Sequence, residues 1–208
     1  MRALAFIFVV ALGACSSPLT GVRQVEAQGP VELHVTFRSG SAVPLPEGLE
    51  VDLDGRLLVV SGSARLVELT LPRPVELVAR PGAHVTVKGD PLASLSLRAS
   101  GGTVDGHLDV DSLHVDGSPG GSVSLDGRSR VMALTGEGFS FDGAQLACEV
   151  VRVDLAGDGR SRVQAHQQVT GAVRGGALQV VGPARVEVVS RSGVVERASG
   201  AGVSLGRR

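Results

Sequence analysis

One short pattern recurs along the sequence at nearly constant spacing. In each copy, a run of alternating apolar and polar residues ends on an aliphatic residue, and a glycine-containing turn follows. The aliphatic residues that end these runs are Leu77, Leu97, Val115, Leu134, Val153, Val173 and Val188. Most successive separations lie between 18 and 20 residues, and the last is 15. The spacing therefore predicts one structural unit for about every nineteen residues.

Each unit has room for two short strands and no helix. The second strands are the runs after each turn, which read HVTVKGD, GTVDG, SVSLDG, FSFDG, SRVQA, LQVVG and VVERA. Parallel neighbours in a doubly wound fold need a crossover of a dozen or more residues, usually a helix. Strands can instead become parallel by coiling, which predicts a right-handed single-stranded parallel β-helix with coils about 4.8 Å apart. An antiparallel β-sandwich is the alternative, because alternation alone suits both folds.

Residues 31–71 differ from the later units. Their runs PVELHVTF, LEVDLDGRLLVV and ARLVELTLP are longer and alternate strictly, and the dipeptide at residues 54–55, Asp-Gly, is a strong hairpin signal. We therefore expect N-terminal antiparallel strands that continue into the coil. They would cover its first open edge, which could otherwise pair with another chain.

The composition favours a narrow aliphatic core. The chain has 208 residues, 43% of them hydrophobic, with 29 glycines, no tryptophan, no tyrosine and five phenylalanines. Valine, leucine and alanine pack well inside a slim coil, and glycine supplies the positive-φ corners between short strands. The length suits one domain, which we place at residues 29–208, after a tether over residues 15–28.

The N-terminal residues 1–14 are predicted to be a signal peptide. Arg2 provides a positive start, and residues 3–12 form an apolar segment too short to span a bilayer. The stretch LGAC at residues 12–15 resembles the lipobox of bacterial lipoprotein precursors. This resemblance implies cleavage before Cys15 and lipidation of its thiol. An ordinary signal peptidase that cuts after Ser16 is the alternative.

The residue after the lipidated cysteine bears on localisation. By the sorting rule of such lipoproteins, an aspartate at this position would signal retention. Ser16 therefore implies an outer-membrane destination, either on the periplasmic face or at the cell surface.

If Cys15 carries lipid, Cys148 is the single cysteine left, so we expect no disulfide within the mature chain. It alternates with Leu146 and Val150 and is interpreted as a small buried hydrophobe. An intermolecular disulfide or a reactive thiol is the alternative.

The densest polar cluster is VDGHLDVDSLHVDG, residues 104–117. Its acidic residues and histidines are Asp105, Asp109, Asp111, Asp116, His107 and His114. Asp109 and Asp111 share one face of an extended strand, as a Ca²⁺ site or a catalytic carboxylate pair would require. Aspartate before glycine is also turn chemistry, and Asp-Gly recurs at Asp126 and Asp142. We interpret the cluster as solvated corners and predict no metal site, no cofactor and no catalytic residue.

Charge and motifs exclude several classes of protein. The formal net charge is −1, and lysine and arginine are scattered, so the sequence indicates neither nucleic-acid binding nor an electrostatically held membrane surface. The stretches GEGFSF and GDGRSR lack the third glycine and the following helix of a dinucleotide site. There is no Gly-x-Ser-x-Gly elbow, and the five histidines have no metal-ligand spacing.

Four stretches carry a resemblance to a known bacterial family. They are SLRASGGTVDGHL, HVDGSPGGSVSLDG, VRVDLAGDGRSRVQA and GAVRGGALQVVGPARVEVVSRSG. Their short strands, the late Gly182-Pro183 and the closing Ser192-Gly193 resemble the head GIN domain (DUF2807) of autotransporter adhesins, over roughly residues 30–196. The resemblance implies a cell-envelope β-helix, often a lipoprotein or a secreted protein, without catalytic residues.

Three functional hypotheses follow. The first is a non-enzymatic, lipid-anchored envelope module for adhesion, structure or interaction, whose partner is an envelope protein or the cell wall. The alternative is a carbohydrate-active β-helix, a polyuronide lyase or hydrolase. Sugar-processing grooves usually contain aromatic platforms, and the mature chain has only Phe37, Phe139 and Phe141, which disfavours the enzyme. End-to-end assembly through exposed coil edges is a third possibility, and the oligomeric state stays open.

Overall fold

All regular structure in the described part of the chain is β-strand. The computed structural model describes residues 22–38, 50–54, 57–61, 66–72 and 76–198. Residues 1–14 and Cys15 lie outside these ranges. The strands are β1 (Gln24–Gln28), β2 (Glu32–Phe37), β3 (Glu50–Asp54), β4 (Leu57–Ser61), β5 (Val67–Leu71), β6 (Glu76–Ala79), β7 (His84–Gly89), β8 (Leu92–Ser100), β9 (Thr103–Ser118), β10 (Ser122–Glu137), β11 (Ser140–Ala156), β12 (Arg160–Arg174), β13 (Ala177–Val181), β14 (Arg185–Ser190) and β15 (Val194–Ala198). Among the described residues, no helix has the length and apolar character needed to cross a bilayer.

The strands stack as a parallel β-helix, which confirms the predicted fold. We call face A the strands in the order β3-β4-β1-β6-β8-β9-β10-β11-β12-β14, and face B those in the order β5-β2-β7-β9-β10-β11-β12-β13-β15. The long strands β9 to β12 belong to both faces. In β9 the alternation of burial breaks at residues 106–107 and 111–112, where the strand turns its corners. All of these pairs are parallel except β3 with β4, which rules out the β-sandwich.

One interior ladder contains six of the seven aliphatic residues predicted from the spacing. Its members in coil order are Leu77, Leu97, Val115, Leu134, Val153, Gly171 and Val188. The prediction for Val173 is wrong by two residues, because Gly171 occupies the ladder position and Val173 pairs with Leu155 instead. A Cβ atom on Gly171 would lie 1.8 Å from the Val153 carbonyl oxygen, so this position excludes the expected aliphatic side chain. Each fully buried leucine in the ladder contributes about 1.5–3 kcal/mol.

The first coils are not wound in sequence order. Strand β1 pairs in parallel with both β4 and β6, and β2 pairs in parallel with both β5 and β7. The first coil (β1, β2) therefore lies between the second (β4, β5) and the third (β6, β7). The expectation of antiparallel strands over residues 31–71 is correct only for β3 and β4, which pair antiparallel. Residue 55 of the predicted hairpin turn lies outside the described residues. Alternation specifies which side chains are buried, not strand direction, so the sequence could not separate the two cases.

Strand β1 changes the boundary expected for the tether. It lies within residues 15–28, and Val25 and Ala27 are fully buried in the interior. Val22 is also buried. Residues 24–28, which the sequence analysis assigned to a tether, therefore form a strand of the solenoid. The five-residue strand was missed because its apolar residues are too few to stand out as an alternating run.

Glycines with positive φ form the corner before face B. They are Gly82, Gly101, Gly120, Gly138 and Gly157, with φ between 60° and 85°. At Gly157 a Cβ atom would lie 3.0 Å from the backbone nitrogen of Gly138, so this corner rests directly on the one before it. Ser192 adopts φ 64° before β15 and is the only non-glycine residue with positive φ in the described ranges. These corners fix where each face B strand begins.

Candidate binding groove

A polar groove runs along the outside of face B, across successive coils. Its first half, of about 420 Å³, extends from β7 to β12. Its second half, of about 530 Å³, extends from β10 to β15. Ser124, Asp142 and Arg162 line both halves, which therefore form one continuous surface.

Two outward-facing ladders form the floor of the groove. The first contains Thr86, Asp105, Ser124, Asp142, Arg162, Gln179 and Glu196. The second, two residues earlier on each strand, includes His84, Thr103, Ser122 and Ser140, and Arg160 begins β12 on the same side. Because side chains alternate along a strand, residues between these positions, such as Val123 and Leu178, point into the core.

Charged groups in the first half of the groove are already paired across coils. Nε2 of His84 lies 2.6 Å from Oδ2 of Asp105, and Nδ1 of His107 contacts Oδ1 of Asp126. At the boundary between the halves, Nη1 of Arg162 is 3.6 Å from Oδ2 of Asp142. These contacts join polar and charged side chains on neighbouring coils and favour the register of the stack.

The second half of the groove has polar groups without partners. Within the described ranges, no side-chain hydrogen bond or ion pair involves Ser122, Ser124, Ser140, Arg160 or Glu196. Arg162, by contrast, is held between two lining residues: its Nε donates to Oε1 of Gln179 at 2.7 Å, and its Nη1 lies 3.6 Å from Oδ2 of Asp142. Hydroxyls can both donate and accept, and a guanidinium can donate two parallel hydrogen bonds to a carboxylate. This half can therefore bind a ligand that is rich in hydroxyls and carries negative charge.

The sequence cluster at residues 104–117 is distributed over the solenoid and does not form one site. Asp105 lines the groove, whereas Asp109 pairs with Arg128 on the next coil. Asp116 lies on face A and accepts a hydrogen bond from Nε of Arg98 at 3.0 Å. No group of three or more potential metal ligands occurs among the residues that the structure describes.

The remaining members of that cluster are exposed. Asp111 lies at a corner, and His114 points outward from face A, where it pairs in register with Ala133. The aspartates of the cluster therefore serve mainly as partners of groups on adjacent coils. The interpretation as solvated corners applies to Asp111 and is too simple for the paired aspartates.

Cys148 is a core residue. Its side chain is fully buried, in register with Ser129 and Ala165 of the adjacent coils. Its Sγ lies 3.6 Å from the Leu146 carbonyl oxygen, and burial raises the pKa of the thiol to about 12. The interpretation as a small buried hydrophobe is confirmed, because a protonated and inaccessible thiol is chemically inert.

The groove residues were missed individually by the sequence analysis, although a signal for them exists. The outward positions are the first and third residues of β10, β11 and β12, which read SVS at residues 122–124, SFD at 140–142 and RSR at 160–162. Aligning these runs would have placed Ser122, Ser140 and Arg160 side by side. The absence of partners depends on the register between coils, which the runs alone do not specify.

Stacked parallel coils with an open groove along face B define a β-solenoid of the parallel β-helix class. The chain belongs to the family described as "Putative auto-transporter adhesin, head GIN domain", whose profile matches residues 45–184. This confirms the family resemblance. Membership indicates a protein of the cell envelope or cell surface.

Three solved structures have the same fold. A protein from Bacteroides fragilis described as a "putative adhesin" is 19% identical with a TM-score of 0.68, covering 87% of this chain and 94% of that one. A "putative adhesin" from Parabacteroides distasonis is 14% identical with a TM-score of 0.66, covering 86% and 93%. A P. distasonis protein described as a "Putative lipid binding protein" is 13% identical with a TM-score of 0.62, covering 87% and 94%. No curated protein matches this chain.

Proposed function

We propose that this protein is a lipid-anchored binding module of the bacterial cell envelope that holds a partner and does not transform a substrate. The observation that carries the proposal is the open groove on face B, in which polar groups from successive coils face solvent without partners. Family membership supports a role in adhesion or interaction. The partner is an envelope protein or a cell-wall component.

The position of Cys15 supports anchoring close to the membrane. Val22, which is buried in the solenoid, follows Cys15 by seven residues. Seven extended residues reach at most about 25 Å. Acyl chains on Cys15 would therefore hold the solenoid near the lipid surface, and multiple chains anchor a protein stably. Ser16 favours the outer membrane, with periplasmic and surface exposure both compatible.

The anchor is tested with Cys15→Ala. We expect this variant to lose acyl labelling and to leave the membrane fraction, whereas the matched variant Cys148→Ala keeps both. Retention of Cys15→Ala in the membrane pellet, with acyl label absent, would show that another element attaches the protein.

The binding role is tested with the full-length protein in detergent and isolated envelope fractions, namely cell-wall sacculi and outer-membrane vesicles. We expect saturable binding to one fraction that weakens when Arg160 and Ser140 are both replaced by alanine. A matched double variant on face A, Arg152→Ala with Thr170→Ala, should bind normally. Absence of saturable binding to either fraction would contradict the proposal.

A carbohydrate-active enzyme is the second candidate, because the carboxylates of Asp142 and Glu196 lie in the groove. Against it, Phe37, Phe139 and Phe141 are all buried, so the described part of the chain offers no exposed aromatic platform for a sugar ring. Release of unsaturated uronides or new reducing ends from a polysaccharide panel would favour the enzyme over the binding module.

A further inference from the structure

We propose that the second half of the groove binds a linear saccharide that bears carboxylates, and that Arg160 pairs with one of them. This inference rests on the proposed binding function and names its ligand class. We call this surface the serine–arginine groove and define it by Ser122, Ser124, Ser140, Arg160, Arg162 and Glu196.

The distribution of partners within the groove selects this half. The carboxylates of the first half already have partners on neighbouring coils, as in the 2.6 Å contact between Asp105 and His84. The Arg160 guanidinium is exposed and makes no ion pair or hydrogen bond with a described side chain. A cation without a counter-charge is a ready partner for an anion, because no existing ion pair has to be broken on binding.

The groups around Arg160 favour a saccharide carboxylate over a phosphate. Ser122, Ser124 and Ser140 supply three hydroxyls that can pair with sugar hydroxyls in either direction. The carboxylates of Asp142 and Glu196 can accept hydrogen bonds from sugar hydroxyls, whereas they would repel the second charge of a phosphate monoester. A sugar that carries one carboxylate and neighbouring hydroxyls can pair its carboxylate with Arg160. Its hydroxyls can hydrogen-bond to the serines and to the carboxylates of Asp142 and Glu196.

The length of the groove favours a chain over a single sugar. The lining residues come from five consecutive layers of face B, β10, β11, β12, β13 and β15. Layers about 4.8 Å apart give a span of about 19 Å along the solenoid axis. A linear polymer can lie along this axis and contact each layer in turn.

The experiment measures binding of full-length protein in detergent to oligogalacturonate by calorimetry. The matched probe is the methyl-esterified oligomer, which keeps the hydroxyls and loses the charge, and inorganic polyphosphate tests charge alone. We expect oligogalacturonate to bind at least about tenfold more tightly than either, because a hydrogen bond to a charged group is stronger than a neutral one.

Two variants assign the contact. Arg160→Gln should weaken oligogalacturonate binding about tenfold, and Ser122→Ala with Ser140→Ala should weaken binding of both saccharide probes. Arg152→Gln, an exposed arginine on face A without a described partner, should bind like the wild type. Arg160 is exposed, so thermal unfolding of Arg160→Gln should match that of the wild type and exclude misfolding.

The outcomes separate this inference from the proposed function. Saturable binding to envelope fractions without binding to oligogalacturonate would overturn the ligand class and leave the binding module standing. Equal binding of polyphosphate, or equal losses in Arg160→Gln and Arg152→Gln, would also overturn the assignment. Absence of binding to both the oligomer and the envelope fractions would overturn the two proposals together.

Discussion

Glycines that share a positive φ differ in their surroundings. Gly29, with φ 73°, has no atom within 4 Å of the position that a Cβ would take. Gly171, with φ 127°, would place its Cβ 1.8 Å from the Val153 carbonyl oxygen. The first glycine is needed only for its backbone conformation, whereas the second is also needed because the coils approach closely.

Alanine at these two glycines should therefore have unequal effects. We expect Gly29→Ala to lower the free energy of unfolding by about 1–2 kcal/mol, which is the strain of a left-handed conformation. Gly171→Ala should lower it by more, because the backbone of a neighbouring coil must also move. Urea unfolding of both variants measures the difference. Equal losses would mean that the coils separate at Gly171 without penalty.

Glu26 is a buried carboxylate with a cross-coil partner. Nη2 of Arg80 donates to its Oε2 at 3.0 Å, and Nε2 of Gln28 donates to its Oε1 at 2.5 Å. The hydrogen bond from Arg80 is the main reason that the pKa of Glu26 lies below its ordinary value of 4.5, although burial opposes the shift. The ionised group thus stabilises the fold above the unfolded-state pKa, and this contribution disappears as the pH falls through the folded-state pKa.

The variant Glu26→Gln tests this linkage. Its free energy of unfolding should fall below that of the wild type at neutral pH, and the difference should shrink as the pH falls below about 4.5. Urea unfolding at a series of pH values gives the measurement. Glu149→Gln is the control, because Glu149 is exposed and without a described partner, and it should track the wild type throughout. If the difference in the free energy of unfolding between the wild type and Glu26→Gln stays constant across the pH series, ionisation of Glu26 does not contribute to stability.

At the scale of strands, the inward-facing side chains, including those of the interior ladder, contribute most to stability. Leu134 is fully buried between Val115 and Val153, whereas Val189 in β14 is 60% exposed. Leu134→Ala should lower the free energy of unfolding by about 2–5 kcal/mol, because it opens a cavity in a packed stack. Val189→Ala should change it by less than about 0.5 kcal/mol. Chemical denaturation of both variants measures the contrast, and similar losses would contradict a core confined to the inward-facing positions of the strands.

The strands also show how far sequence reasoning reaches. Regular spacing predicted the coil and six ladder positions, because each inward position needs an aliphatic side chain. It failed at Gly171, where close backbone approach replaces a side chain, and at β1, which is too short to show a pattern. The outward positions of the groove could be read from the strand that follows each turn. The lack of a side-chain partner for Arg160 depends on how neighbouring coils align, and the sequence of one strand does not specify that alignment.

At the scale of the whole molecule, the order of coils sets which strands are protected. Strand β1 pairs on both sides, with β4 and β6, whereas β15 pairs only with β13 within the described part of the chain. The first coil in sequence is therefore internal in the stack. Local opening should begin at strands with one neighbour.

Hydrogen exchange tests this order. We expect backbone amides of β1 and β2 to exchange as slowly as those of the middle coils, and those of β14 and β15 to exchange much faster. Mass spectrometry of peptides that cover residues 24–37 and 185–198 gives the comparison. Fast exchange in both regions would contradict an internal position for the first coil.

The internal position of β1 also affects how the protein responds to mechanical load. If acyl chains hold Cys15, any pull on a bound partner reaches the membrane through the few residues before β1. That strand cannot be peeled from an edge, because it must break its bonds to β4 and β6 together. With such an anchor, the chain would join its support at a point that resists shear, as attachment under flow or traction would demand.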